Sequence, residues 1–506
     1  MIDKILGIFS YSSNEPLIFT RLYFWVFFVV VLAGYSVLYN KRKPRNAYLF
    51  LVSLFFYYKS SGIYFLLLLF STVTDFFIGK RLYYAESPTK RKSLLILSIF
   101  INLFVLSYFK YSNFFIETIN SIFATQFQVV NYFNLMANGI AGANYFDIDK
   151  IILPVGISFF TFQTISYTVD IYRKKITPVT NILDFGFYVS FFPQLVAGPI
   201  VRASEFIPQL YQKYKITQAE FGMAIFMILN GLLKKLFISD YIAVNLIDRV
   251  FEKPIMYSGI ENLMALYGYS MQVYADFSGY TDIAIGVALL MGFRLPVNFN
   301  SPYKALHVGE FWKRWHISLS TWLKDYLYIP LGGNRHGETR TNINLMITML
   351  LGGLWHGASW QFVIWGGLNG VGLLIYKQWR KISPFKGNHS WPVRFYAIFL
   401  TFNFITLTRI WFRCGSMQQV NEMIHQITYA FEPGQIIEVF SAYKKVLLLL
   451  IFAFIVHWLP SNFKAWYRTR FANLPSWAIA VVVLVAVFFI YQFQTFKLQP
   501  FIYFAF

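Results

Sequence analysis

Four stretches of this chain carry no charged side chain over a length close to a membrane's thickness: Leu22–Tyr39, Ser93–Phe109, Ile151–Val169 and Ser476–Phe493. A helix crossing the hydrocarbon core needs about 20 largely apolar residues. Lipid leaves no water to satisfy an open backbone, so such runs are read as helices. Shorter or interrupted apolar segments recur at Ala47–Tyr58, Tyr64–Gly79, Phe185–Ile200, Phe221–Leu233, Ile343–Leu354, Phe362–Tyr376, Phe395–Thr408 and Val446–Trp458. Together they predict an all-α, polytopic integral membrane protein with roughly 11 membrane-embedded helices. Several of these are expected to be short or re-entrant, buried in protein rather than facing lipid. Charged residues are 13% of the 506, about half the share of a soluble domain.

The formal net charge of +21 is gathered in patches. Lys41, Arg42, Lys43 and Arg45 follow the first apolar run; Lys80, Arg81, Lys90, Arg91 and Lys92 lie between later ones; Arg173, Lys174 and Lys175 follow the Ile151 run. Excess Lys and Arg mark cytoplasmic loops. Residues Tyr111–Asp149 contain neither, so they read as the outer face, with the N-terminus also outside. This topology accounts for the charge without any nucleic-acid partner. The single cysteine, Cys414, excludes a disulfide framework and a cysteine-based metal site. No cleavable signal peptide is evident, and the first apolar helix is expected to act as its own insertion signal.

No linker rich in Pro, Gly or Ser divides the chain, so residues 1–506 read as a single membrane domain whose texture changes. Residues 1–110 are plain hydrophobic helices with basic joints. Residues 150–380 carry nearly all the detail rich in Gly, Pro, His and Trp, and residues 390–506 return to plain helices. Polar groups inside a membrane core are costly and mark networks or functional paths, so the middle segment is the expected catalytic core.

Of seven histidines, His356 is the leading candidate. It sits in LLGGLWHGASW, behind Gly352 and Gly353 and between Trp355 and Gly357. Glycines admit another backbone or a ligand, and indoles exclude water while keeping one N–H to donate. A histidine held there can accept a proton near neutral pH as a general base. A buried histidine satisfied by a backbone carbonyl is the bland competitor.

His316 is the second candidate, in FWKRWHISLSTWL. Helical spacing puts Trp312, Trp315 and Leu319 on one face, predicting an amphipathic helix at the interface or dipping into the core. Ser318 and Ser320 add hydroxyls. An interfacial anchor helix explains the same residues. Asp276 and Asp282 stand in the apolar stretch YADFSGYTDIAIG, where a carboxylate must be paired or hydrogen-bonded. Asp276 could orient a histidine, whereas a structural lysine or arginine partner suits Asp282. Four of the other five histidines have plain readings: His336 and His389 in loops, His425 in a polar stretch, His457 at the end of an apolar run as an interfacial residue. Asp147 and Asp149 resemble the paired carboxylates of a metal-dependent glycosyltransferase, but they fall on the expected outer face. Ser318 beside His316 lacks the strained turn and third member of a nucleophilic triad.

At these residues the chain resembles the membrane-bound O-acyltransferase (MBOAT) family, in its bacterial polysaccharide-acetylase branch of the alginate O-acetylase type. The motifs are YADFSGYTDIAIG, LPVNFNSP at Leu295–Pro302, FWKRWHISLSTWLKDYLYIPLGGNR, and LLGGLWHGASWQFVIWGG. Dense resemblance runs from about Pro154 to Gly372. One departure is Asn369, in GGLNG, where many relatives carry a histidine.

The resemblance implies a ring of helices around a thin centre pierced by a channel, in the inner (cytoplasmic) membrane of a bacterium. It implies His356 as the essential histidine and His316 as its partner across the reaction path, supported by Asp276, Trp315, Trp355 and Ser320. It implies no bound cofactor. The donor is a cytosolic acyl thioester such as acetyl-CoA, whose phosphates could meet Lys313, Arg314, Arg335 and Asn334, with Lys304 and Lys324 nearby. The acetyl group is expected to pass to a periplasmic partner of the SGNH-hydrolase type, which completes transfer to a polysaccharide acceptor. Alternatives are a D-alanyl transferase of the teichoic-acid type, and a non-catalytic transporter or scaffold subunit of an exopolysaccharide complex.

Overall fold

A computed structural model of the chain describes residues 11–12, 16–142, 147–196 and 198–493. Helix accounts for 77% of it, and no strand occurs among the described residues. Within the expected outer segment, residues 143–146 fall outside the described ones. Among the described residues, four helical stretches are long and apolar enough to cross a membrane: Arg42–Tyr84, Pro88–Phe123, Gln218–Glu252 and Trp391–Arg413. Two bent pairs, ending at Trp458 and Ile490, raise the number to six if each is one span.

These long spans do not confirm the expected count of about 11 among the described residues. Length is one reason, since the first apolar run gives a helix of 17 residues, Leu22–Leu38, and other runs are short and buried. The apolar run Ile151–Val169 yields a helix of only 16 residues, Ile157–Tyr172, with Ile157 to Ile171 all buried. The Phe185 segment breaks into Ile182–Ser190 and Phe192–Leu195. Apolar texture reports removal from water, and protein neighbours remove these helices from water as fully as lipid would.

The chain packs as two compact units. The first holds Val29–Val196 and Arg202–Lys213 with residues before 19; the second holds Phe19–Phe28, Ala197–Val201 and Tyr214 onward. The division does not follow the change in sequence texture, because Ile157–Tyr172 packs with the N-terminal helices.

In the first unit, α1 (Arg42–Ser61), α2 (Phe65–Tyr84), α3 (Pro88–Phe123) and α4 (Ile157–Tyr172) surround a buried polar knot. Asp75 on α2 accepts from Ser98 (2.6 Å) and Asn102 (2.7 Å) on α3, and Asn102 accepts in turn from Thr164 on α4 (2.9 Å). Each bond removes a desolvation cost these side chains would otherwise carry. The basic joints also have structural work. Arg91 donates to the Leu82 and Tyr172 carbonyls (3.0 and 2.9 Å) at the last turns of α2 and α4. Arg45 is buried and donates to the Leu210 and Gln212 carbonyls (2.7 and 3.1 Å). Cations on helix-terminal carbonyls are favourable, so one residue can serve topology and packing together.

In the second unit, α5 (Gln218–Leu232) lies along α6 (Gly259–Leu290), a helix of 32 residues opened by a Ser258–Glu261 capping box. The π-helical stretch Leu233–Ser239 prolongs α5. It turns Lys234 to Asp282 (2.7 Å) and Lys235 to both Asp276 (2.6 Å) and Asp240 (2.7 Å). After these come α7 (Val308–Arg314), α8 (Ile317–Leu323), α9 (Gly337–His356), α10 (Trp360–Ile382) and α11 (Trp391–Arg413).

Helices α9 and α10 form a hairpin whose crossing lets the backbones nearly touch. A Cβ on Gly353 would meet the Phe362 carbonyl oxygen and lie 3.0 Å from the Gly366 Cα; one on Gly366 would lie 3.1 Å from the Gly353 Cα. Gly353→Val should therefore overpack this crossing at a cost of roughly 1–3 kcal/mol. The thermal midpoint of the detergent-purified protein, followed by size-exclusion chromatography, should fall. Gly352→Ala is the control, since a Cβ there meets only the flexible Leu323 side chain at 3.3 Å. Equal midpoints for the two variants would contradict the crossing.

Candidate active site

The site begins where a predicted helix breaks. The segment Phe311–Leu323, expected as one amphipathic helix, is split into α7 and α8 at Trp315 and His316. The cause lies in the segment that precedes α7. The Ile317 N–H donates to the Asn298 carbonyl (3.0 Å), and Asn298 Oδ1 accepts from the Ser318 N–H (3.1 Å) and hydroxyl (2.9 Å). The Asn300 N–H donates to the Arg314 carbonyl (2.9 Å). These bonds replace those of a continuous helix, and His316 takes a left-handed backbone at φ 43°. Such a conformation is costly for a residue with a Cβ and clusters at functional sites. The asparagines belong to the motif LPVNFNSP, so its task is to hold this break. Ser318 is spent there, and its hydroxyl also accepts from the Ile200 N–H (3.0 Å).

The break delivers His316, fully buried, to His356. Their ring centres are 6.3 Å apart. His356 is the last residue of α9, and Gly357 and Ser359 turn the chain into α10. Its ring is boxed edge-on by Trp355 (5.1 Å), Trp365 (5.1 Å) and Phe412 (5.3 Å). His316 meets Phe277 edge-on at 4.6 Å and Trp355 at 5.9 Å. Such aromatic walls hold a ring in one orientation and keep bulk water away.

His356 opens onto a cavity of about 20 Å³ whose lining includes Trp315, Trp365, Asn369, Thr408, Arg409 and Phe412. That is room for about one water-sized group. Trp315, expected in a supporting position, is part of that lining. Trp355 packs edge-on against His356, and Ser320 donates to the Trp315 carbonyl at 3.4 Å. Asp276 lies instead in the buried ion cluster with Lys235 and Asp240. Asp282 has the lysine partner expected of it.

The candidate donor contacts stay apart from this cavity. Lys313, Asn334 and Arg335 are exposed. Arg314 is engaged by Glu310 (2.8 Å) and the Asn300 carbonyl (3.1 Å). The Lys304 ammonium donates to the Leu459 carbonyl (2.6 Å). Asp147 and Asp149 are exposed, with the Asp149 N–H on Asp147 Oδ1 (2.9 Å). His457 departs from its interfacial reading: it is buried, accepts from the Tyr303 N–H (3.3 Å) and meets Tyr274 edge-on at 4.6 Å.

Three residues escaped the sequence reading. Arg409 on α11 lines the cavity although it lies beyond the expected core. Its signal was an arginine inside the apolar run FNFITLTRIWF, since ionisable groups in membrane helices are functional by default. Asn369, read only as a missing histidine, lines the cavity too, with its Nδ2 on the Trp365 carbonyl (2.9 Å). Phe412 closes the box.

The membrane-bound O-acyltransferase family model matches residues 50–419. A peptidoglycan O-acetyltransferase of Helicobacter pylori is 33% identical over 528 aligned residues, covering 94% of this chain and 95% of that one. A probable alginate O-acetylase AlgI of Pseudomonas aeruginosa is 38% identical over 430, covering 83% and 76%. A teichoic acid D-alanyltransferase of Bacillus subtilis is 31% identical over 272, covering 50% and 66%.

The ion cluster makes a test. Lys235→Met leaves Asp240 and Asp276 buried without their cation, which costs about 3–5 kcal/mol. The yield of monodisperse protein should collapse, and Asp276→Ala should lower it as well. An Asp276→Asn variant that keeps full yield yet loses activity would move Asp276 from the packing to the chemistry.

Proposed function

The chain belongs to the membrane-bound O-acyltransferase family, and from that premise we propose that it moves an acetyl group from cytosolic acetyl-CoA across the bacterial inner membrane for O-acetylation of an exported or cell-wall polysaccharide. The enzyme is an acyltransferase. The observation that carries the finer reading is the meeting of His356 and His316, ring centres 6.3 Å apart, at a small buried cavity. Two relatives matched over 95% and 76% of their own length, named as a peptidoglycan O-acetyltransferase and a probable alginate O-acetylase, support the choice of group and acceptor class.

In this reading the thioester enters from the cytoplasmic side past the basic residues Lys313, Arg314 and Arg335 with Asn334, and a passage through the thin centre of the helix ring joins the two faces. Neutral His356 takes the proton of a hydroxyl arriving from the outer side. The oxygen attacks the thioester carbonyl, the C–S bond breaks, and the thiolate leaves with the proton returned by the imidazolium. His316 holds the donor against Phe277 and Trp355. Trp355, Trp365 and Phe412 exclude water, which limits hydrolysis of the thioester. A periplasmic partner of the SGNH-hydrolase type accepts the acetyl group and completes transfer to the polymer. The basic joints of the first unit support a cytoplasmic placement of those loops and an outer N-terminus.

General-base catalysis contributes about 10²–10⁴-fold, so His356→Ala should abolish polymer O-acetylation while leaving folded protein in the membrane. The acetate released by mild alkali from purified polysaccharide gives the measurement, in cells carrying the variant as the sole copy. Near-normal acetate at equal membrane levels would sink the assignment. Purified parent should release free thiol from acetyl-CoA, and the His356→Ala protein should not.

A further inference from the structure

The cavity beside His356 contains a cation that the mechanism above leaves without work. Arg409 is 5% exposed, in a helix long and apolar enough to span a membrane. Its Nη1 donates to the Ser270 carbonyl (3.1 Å) and the Tyr303 hydroxyl (2.7 Å). Tyr303 is itself held by a hydrogen bond to the same carbonyl. The guanidinium carbon lies 4.8 Å from the centre of the Trp315 ring and 5.3 Å from that of Tyr303. Those partners orient the side chain but carry no formal charge. A buried cation without a carboxylate costs several kcal/mol even after relaxation. By contrast, Arg413, one turn further along α11, is paired with Asp248 at 2.8 Å.

We propose that Arg409 is a catalytic residue, the electrophilic group that stabilises the oxyanion of the acyl-transfer intermediate. The inference rests on the acyl-transfer reading of His356. Its geometry is the shared cavity: His356 and Arg409 line a space of about 20 Å³, so an acyl carbonyl placed there lies within reach of both. Attack by the hydroxyl oxygen forms the new C–O bond and moves the carbonyl π pair onto oxygen, while the hydroxyl proton goes to His356. The negative charge then sits beside the guanidinium. Collapse returns the pair to carbon, breaks the C–S bond, and the thiolate departs with the proton from His356. Charge stabilisation of this kind in a dry, preorganised site is usually the largest single contribution to such catalysis. The Ser270 and Tyr303 bonds and the Trp315 face fix the guanidinium in advance, so little reorganisation is needed as the charge develops. Both of those bonds use Nη1, and in this proposal Nε and Nη2 are the fork that meets the oxyanion.

The test is steady-state turnover of acetyl-CoA by the full-length purified protein, read as free thiol per monodisperse molecule. Arg409→Gln keeps a planar donor and removes the charge. Its kcat should fall about 10²–10³-fold, the effect of deleting an oxyanion donor, with KM for acetyl-CoA changed by less than about threefold. A purely structural arginine would lower the yield and midpoint of the protein without that split. If Arg409→Gln does not fold, Arg409→Lys carries the test. It keeps a charge without the fork, and its kcat should drop at least about tenfold at unchanged KM. Parent-level kcat in the folded Gln variant, or in Lys where Gln fails, overturns the proposal when His356→Ala is inactive in the same assay. If the parent itself releases no thiol, the donor reading has failed instead. Arg409→Gln is then compared with His356→Ala by polymer acetate in cells, where equal loss supports the role and full acetylation at equal membrane levels overturns it.

Discussion

The near-contact of α9 and α10 at Gly353 and Gly366 is the constraint on which the site depends. His356 ends α9 one turn beyond Gly353, and Trp365 and Asn369 are the neighbours of Gly366 on α10. Because the two backbones touch at the crossing, the positions of the histidine, the indole and the amide are set by backbone contact rather than by adjustable side chains. A Cβ at the crossing would push the hairpin open and carry His356 away from Trp365 and Arg409 together. Reacting groups tolerate errors of well under an ångström, so a contact that leaves no slack suits this place.

Polar groups are buried in two distinct manners. Asp75 with Ser98 and Asn102, Lys234 with Asp282, and Lys235 with Asp240 and Asp276 are closed sets in which each charge or dipole is answered by a near neighbour. These sets fix helix against helix. Around the cavity the pattern changes, because His356, Asn369 and Arg409 share a wall and face a common space. Closed sets stabilise a fold, whereas groups directed at a space are positioned for something that enters it. That contrast separates the packing role of Asp276 from the chemical role proposed for Arg409, although both are charged residues in apolar helices.

Much of this was legible in the sequence, and the reasons differ by element. Helicity followed from uncharged runs, and His356 and His316 stood out because ionisable side chains among Gly and Trp are expensive in a membrane. The number of spans was not legible, since Ile157–Tyr172 is as apolar as a spanning helix yet is covered by protein. The break at His316 was hidden because Trp312, Trp315 and Leu319 fit helical spacing, and the Asn298 and Asn300 bonds that interrupt the helix come from a separate motif. Arg409 does not stand out in the sequence because it lies outside the local density of Gly, His and Trp. Its partners, Ser270, Tyr303 and Trp315, lie more than 90 residues away along the chain, and no periodicity links them.

The cavity lining also bears on which acyl group can be handled. A space of about 20 Å³ walled by Trp315, Trp365 and Phe412 is of water size, so an acetyl group would have to shift packed aromatic rings slightly and a long chain would have to displace many of them. A D-alanyl group adds an ammonium. Among the described residues that line the cavity there is no carboxylate to receive it, and the guanidinium of Arg409 would repel it at short range. Desolvating an ammonium beside a like charge is among the costlier arrangements available in a low-dielectric interior. An uncharged acetyl group would meet neither of these penalties, and the negative charge that the proposed transfer would develop is of the sign this wall favours.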